Sequence, residues 1–396
     1  MAVKIIRQPG KIALIGVPSS AGAHGTGVER APEALRAAGL VERLRAIGYE
    51  VADLGDCPLV VFQPDEEHPR ARNAGAVVAT LEALKPRVEQ AVKSGALVLI
   101  LGGECTLALG TIAGVRRYYR NINLVWCDRD ADLNIPATSP SGCLHGMAVA
   151  HIIGRGAPEL VRFWGEPPLV RPPDIALFGL ERLDAPEREL LKQSPMRRYS
   201  AADVQQKGVA AAAHAVVERI AESSQFVLHF DVDVITSEDF PASEVPGSGG
   251  LRLDEVCQAL EVFAQQKNLV ALEIAEYNPE HDADGTAAKI LIELLAAALK
   301  ARFDALAVPE AAAEAPAAES QPPAPETPVP VAAGAAAETE AAETPRAASA
   351  EESAAANMVS EGAPSSAETG GESEPEPSGE TPAEVSSADR EARTEE

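Results

Sequence analysis

The sequence predicts an α/β fold built on an eight-stranded, mostly parallel sheet. Two observations carry this. Eight short apolar runs alternate with helix-length segments between residues 11 and 303, and strands interleaved with helices pair in parallel. Five of the runs end directly in polar turns: Gly102-Gly103-Glu104-Cys105, Asp128/Asp130/Asp132, residues 181–187, Asp231/Asp233 and Glu276. Functional groups of parallel sheets collect at the carboxyl ends of strands.

In order, residues 11–18 (KIALIGVP) read as a buried strand, and 19–27 (SSAGAHGTG) as a glycine-rich loop without a Walker lysine. A helix is expected at 29–46 with Pro32 in its first turn, a strand at 49–54 and a long helix at 70–93. The next strand, 96–103 (ALVLILGG), leads into a helix at 106–118 and then the strand 121–128. After the 129–147 loop come a helix to 153, a strand at 174–180 that opens into the acidic loop 181–187, an edge strand at 197–199 and a helix at 209–221. Strand 225–233 (QFVLHFDVD), a loop to 250, helix 253–266, strand 269–277 and helix 286–303 complete the pattern.

Composition divides the chain into a domain of residues 1–304 and an acidic tail of residues 305–396. The last aromatic is Phe303, and residues 305–396 carry 20 Asp+Glu against 3 Lys+Arg, a net −17 of the chain's −26. Such a segment buries too little apolar surface to offset chain entropy, so disorder is expected. The cysteines, Cys57, Cys105, Cys127, Cys143 and Cys257, are odd in number and partly strand-borne, which argues against a disulfide framework. The apolar run after Lys11 is six residues long, too short for a signal core or a membrane span. A cytoplasmic protein is expected, with no nucleic-acid or membrane partner.

The chemistry gathers in 124–147, LVWCDRDADLNIPATSPSGCLHGM. Alternate strand residues share a face, so Asp128, Asp130 and Asp132 can aim at one point if the chain curls by Asp132, since a straight strand would spread the outer two by about 13 Å. Asp231 and Asp233 repeat the pattern. Five carboxylates on one rim repel, and divalent cations sharing aspartates would stabilise them and activate a water. His145 is placed to shuttle a proton, and Glu276 to hold a cationic substrate head.

These segments resemble the arginase/agmatinase/formiminoglutamase family, the ureohydrolases, over residues 10–302. GVPSSAGAHGTGVERAPEALRAAGL is similar to the family's N-terminal segment, GGECT to its GGDHS turn and DRDADLN to its DAHxDxN segment. SGCLHGM, FDVDV and EIAEYNP are similar to its SGNLHGM, DxD and E(V/Y)NP segments. The resemblance implies a three-layer α/β/α sandwich, a two-manganese centre, an oligomer, and hydrolysis of a guanidino or amidino C–N bond by a metal-activated hydroxide. Asp128, Asp132, Asp231 and Asp233 match metal ligands, with Cys105 and Asp130 at the remaining ligand positions. His145 matches the proton shuttle, Glu276 the guanidinium carboxylate, and Asp132 orients the nucleophile. Asn134 and Ser141 match carboxylate-recognising positions, and Asp184 and Glu187 α-amino-recognising ones, so an arginine-type amino acid is favoured as substrate.

Cys105 and Asp130 stand where the family has histidines. Four aspartates, two imidazoles, two divalent ions and a hydroxide sum to −1, whereas five aspartates, a thiolate, the same ions and the hydroxide sum to −3. Burying the excess is costly, and the strand parity of Arg129 points it away. The alternatives are a protonated Asp130 or Cys105, one ion instead of two, or a different metal. Glu104 and Cys143 depart from the family's Asp and Asn. The counter-reading is a catalytically inactive homologue acting as a binding or regulatory protein.

Overall fold

The computed structural model describes residues 5–220 and 224–307. Eight strands form one sheet: β1 (Lys11–Gly16), β2 (Glu50–Asp56), β3 (Leu97–Leu101), β4 (Ile122–Cys127), β5 (Ile175–Leu180), β6 (Arg197–Ser200), β7 (Gln225–Asp231) and β8 (Leu269–Ala275). Their order is β2-β1-β3-β8-β7-β4-β5-β6, and every neighbouring pair is parallel. All eight expected strands are present, and the sheet is wholly parallel.

The central strands are apolar on both faces because both are covered. Leu97, Leu99 and Leu101 pack on one side of the sheet and Val98 and Ile100 on the other, as period two requires. Helices α1 (Ala31–Ala37) and α2 (Leu40–Ile47) cover the first face through Leu35 and Leu44. So do α8 (Ala201–Lys207), α9 (Val209–Val217), α10 (Leu253–Ala264) and α11 (Thr286–Leu306), through Val204, Val216, Phe263 and Leu295. The second face is covered by α3 (Ala74–Lys93), α4 (Leu107–Arg116), α5 (Ala148–Ile152), α6 (Pro158–Arg162) and α7 (Ala185–Gln193). The result is the expected three-layer α/β/α sandwich.

Several boundaries differ from the sequence expectation for local reasons. The helix expected at 29–46 is broken at Gly39, whose φ of 97° lies in the left-handed region that glycine tolerates. Gly208, at φ 84°, likewise separates α8 from α9, and α8 was not anticipated. The 181–187 loop is shorter than expected because Pro186 and Glu187 already belong to the first turn of α7, where proline fits. Helix α11 continues two residues past the expected domain end at 304. The acidic tail lies, from residue 308, outside the described residues.

The topology places the site. Strands β8 and β7 are inserted between β3 and β4, so the turns after β3, β4, β7 and β8 meet at the middle of the carboxyl edge. The β3 turn is pulled tight there. Gly102 N–H donates to Ile274 O at 2.8 Å and Glu276 N–H to Gly103 O at 2.7 Å. A Cβ on Gly103 would collide with the Ser19 carbonyl, so the Gly-Gly pair lets three backbone segments approach. All five cysteines are free thiols. No described helix is long and apolar enough to cross a membrane.

Candidate functional site

A cleft of about 280 Å³ opens at this edge. Every predicted site residue lines it: Cys105, Asp128, Asp130, Asp132, Asp231, Asp233, His145, Glu276, Asn134, Ser141, Asp184 and Glu187. Strand β4 ends at Cys127, and the chain curls as the acids require. Asp132 sits at φ 50° and Glu276 at φ 65°, two non-glycine residues held in left-handed backbone within the cleft. Such strain persists where surrounding structure over-determines it, as at functional sites.

The acids form two donor sets that share Asp128. One ligand atom from each of Cys105, Asp128, His229 and Asp231 lies within 4.8 Å of the others, and the same holds for Asp128, Asp130 and Asp233. Burial and then mutual repulsion push Asp128, Asp132 and Asp231 well above the usual carboxylate range. Asp233 rises to about 6, through burial and the charge of Asp130. Burial and then Asp231 raise the Cys105 thiol, whose Sγ donates to Asp231 Oδ2 at 3.1 Å. Buried Asp132 Oδ2, Asp233 Oδ1 and Glu276 Oε2 have no hydrogen-bond partner. Repelling carboxylates with unpartnered oxygens are what divalent cations stabilise, so the donor chemistry fits cation binding.

Two arginines change the charge balance. Arg182 grips Asp130 through Nε at 2.7 Å and Nη2 at 2.5 Å, in the two-pronged geometry that suits a carboxylate. Arg129, 3% exposed, places Nη2 3.4 Å from Asp233 Oδ2 and 2.8 Å from Val245 O. The expectation that Arg129 faces away is therefore corrected: with β4 ending at Cys127, strand parity does not extend to residue 129. Their two positive charges bring the −3 of the substituted centre back to −1, the family value.

At the other end of the cleft, Glu276 Oε1 accepts from Cys105 N–H at 3.0 Å and lies 3.2 Å from His145 Nδ1. Burial would raise Glu276, but the charge of His145 and its hydrogen bond hold it below the usual carboxylate range. Burial alone would lower His145; the charge and hydrogen bond of Glu276, with Glu104 and Glu244, outweigh this and push it up to about 9. His145 Nε2 is 2.9 Å from His24 Nδ1, and His24 is lowered to about 4 by burial and then by His145. A protonated His145 can thus donate to a neutral His24, whose ring nitrogen meets His145 inside the cleft while the rest of the residue reaches solvent.

A pH dependence follows with a definite sign. The folded His145 value lies above the ordinary 6.5, so its contribution to stability is full below that value and is lost as pH rises through about 9. Thermal unfolding of the wild-type protein should show that decline, and His145→Gln should flatten it. An equal decline in both proteins would assign it to other groups.

Glu187 anchors one wall of the cleft. Oε1 accepts from Leu133 N–H at 2.9 Å and Oε2 from Asp184 N–H at 2.8 Å, fixing the loop that presents Asn134 and Asp184, themselves 2.8 Å apart. Glu104 is buried, held by both Thr106 groups at 2.8 and 2.6 Å, and raised by burial to about 7. Sequence reasoning missed His24, Arg182 and His229 and discounted Arg129. His24 and Arg182 follow the carboxyl ends of β1 and β5, and His229 shares the strand parity of Asp231, so position alone could have flagged these three.

A parallel α/β sandwich with an acid-rich, cation-fitting cleft at the carboxyl edge of its central strands describes one class of hydrolase scaffold. The sequence model of the Arginase family matches residues 10–300. The arginase of Bacillus caldovelox is 33% identical over 287 residues, covering 72% of this chain and 96% of the relative. That of Bacillus subtilis (strain 168) is 32% identical over 286 residues, with 72% and 96% covered. The solved arginase structure from Bacillus caldovelox superposes with a TM-score of 0.69 at 32% identity, covering 73% of this chain and 98% of that one. The arginase from Bacillus cereus gives 0.68 at 30%, with the same coverage. The chain belongs to the arginase family.

Proposed function

We propose that the protein is a metal-dependent hydrolase of a guanidino or amidino C–N bond, acting on an arginine-type amino acid. The observation that supports this best is the charge compensation. Arg129 and Arg182 offset the anions introduced where the family has histidines, while both donor sets remain beneath Glu276 and His145. Cys105, Asp128 and Asp231 would hold one ion and Asp128, Asp130 and Asp233 a second, with Asp132 beside them, and family membership carries manganese as the expectation for the oxygen-only set. A bound divalent ion supplies Lewis acidity and makes water nucleophilic near neutral pH.

The protein's own groups do the rest. Glu276, with Oε2 unpartnered, accepts hydrogen bonds from the guanidinium. Asp132, also with a free oxygen, accepts one from the attacking water and orients it. As water adds to the guanidinium carbon it gives a proton to Asp132, the C–N bond breaks as His145 passes its proton to the leaving amine, and His145 is reprotonated from solvent through His24. Asn134, Ser141 and Asp184 line the part of the cleft suited to a carboxylate and an α-amino group. Family membership also carries the expectation of a homo-oligomer.

The competing reading is an inactive homologue that binds a guanidino ligand. The Cys105–Asp231 contact favours it, because it satisfies part of the cluster from within. Urea release measured on arginine, agmatine and guanidino acids decides between them. The hydrolase should release urea from arginine in preference to agmatine, which lacks the carboxylate. Saturable binding of arginine without release, in metal-loaded protein, would favour the inactive homologue.

A further inference from the structure

We propose that Cys105, Asp128, His229 and Asp231 form a mixed sulfur–nitrogen–oxygen site for one zinc-type ion, in which His229 supplies an imidazole from a strand position the ligand pattern of the sequence does not include. This deepens the hydrolase reading at the same centre and rests on its cation-binding part.

His229 stands two residues before Asp231 on β7, so its side chain leaves the same face of the sheet, one step below the cleft floor. Its ring is fully buried and prepared. Trp126 stacks on it at 3.6 Å between centroids and 9° between planes. Nδ1 is 2.9 Å from Glu273 Oε1, and Glu273 Oε2 accepts from the Thr111 hydroxyl. Glu273 is itself 0% exposed. A carboxylate on one ring nitrogen fixes the tautomer and leaves the lone pair on the other, the arrangement that surrounds histidines bound to metals.

Nε2 is buried without any hydrogen-bond partner. An orphaned buried imidazole nitrogen is destabilising unless something occupies it. What faces this ring is the trio of Cys105, Asp128 and Asp231, with one ligand atom of each residue, His229 included, inside a 4.8 Å span. Trp126 also orients the cluster, donating Nε1–H to Asp128 Oδ2 at 2.8 Å.

The donor types select the ion. A thiolate and an imidazole with two carboxylates make the four-donor set that suits zinc or cobalt(II), whereas the all-oxygen Asp128/Asp130/Asp233 set suits harder ions. On binding, the Cys105 proton now directed at Asp231 leaves and sulfur takes its place on the ion. The two donor sets are chemically unlike, so they should not be filled by the same metal.

The test uses the full chain, stripped by chelation and reloaded with zinc or with cobalt(II) alone. The X-ray absorption spectrum of the zinc form should show a sulfur shell at about 2.3 Å, lighter atoms at about 2.0 Å and outer-shell imidazole scattering. The cobalt form should show a thiolate-to-metal charge-transfer band. His229→Gln should lose the imidazole scattering and Glu273→Gln should weaken zinc binding roughly 10- to 100-fold. If His229→Gln does not fold, the wild-type spectra still decide. A spectrum without imidazole, or no zinc bound, overturns the proposal. Urea release from a centre lacking imidazole would overturn it and leave the hydrolase reading standing. Sulfur–imidazole ligation with no urea release, even after manganese is added to the zinc form, would support it and remove the hydrolase reading.

Discussion

Arg129→Met lowers the unfolding free energy by about 3–5 kcal/mol in metal-free protein, measured by denaturant titration. The magnitude comes from what is left behind. Arg129 and Asp233 are 3% and 5% exposed, and the guanidinium is the counter-charge 3.4 Å from Asp233 Oδ2. Removing it strands a carboxylate among Asp128, Asp130 and Asp231 and frees the Val245 carbonyl. The double substitution Arg129→Met with Asp233→Asn should recover most of the loss, because the stranded charge goes with its partner. Additive losses would show that Arg129 acts by packing under Val245 and not by charge.

Glu276→Gln weakens arginine binding by about 2–5 kcal/mol, between roughly 30-fold and several-thousand-fold. The carboxylate is buried at the end of the cleft, with Oε2 free, and His145 keeps it ionised. A neutral amide of the same shape keeps the Cys105 N–H contact but offers no charge to a guanidinium. Titration calorimetry with arginine reads the change directly. His145 should lose its raised value in the same variant, since the charge and hydrogen bond that lift it come chiefly from Glu276. An unchanged affinity would place the ligand's cation elsewhere.

Much of the architecture was legible because its physics is local. Runs such as ALVLILGG are apolar on both faces, short and glycine-bounded, which fits a strand covered on each side. The acids at Asp128 and Asp231 end such runs, so their meeting followed from parallel topology. Asp130 and Arg129 show where that reasoning stops. Once β4 ends at Cys127, the direction of each following side chain depends on individual backbone angles, including the φ of 50° at Asp132, and alternation no longer applies. Arg182 reaches Asp130 across a separation of 52 residues, a pairing set by strand order, not by any local pattern. The break at Gly39 was hidden because glycine inside a helical pattern does not announce whether it bends or breaks it, and α8, which ends at Gly208, is only seven residues long. In the sequence His229 is one polar residue in an apolar strand, and only the positions of Trp126 and Glu273 reveal how its ring is held.

The proposed function requires that the compensated centre still hydrolyses a guanidinium with the help of a divalent cation. Urea release from arginine by one preparation, measured as purified, after chelation and after metal is restored, tests it most directly. That function predicts turnover that disappears on chelation and returns with the ion. A protein that holds its metal and releases no urea in any of the three states contradicts it.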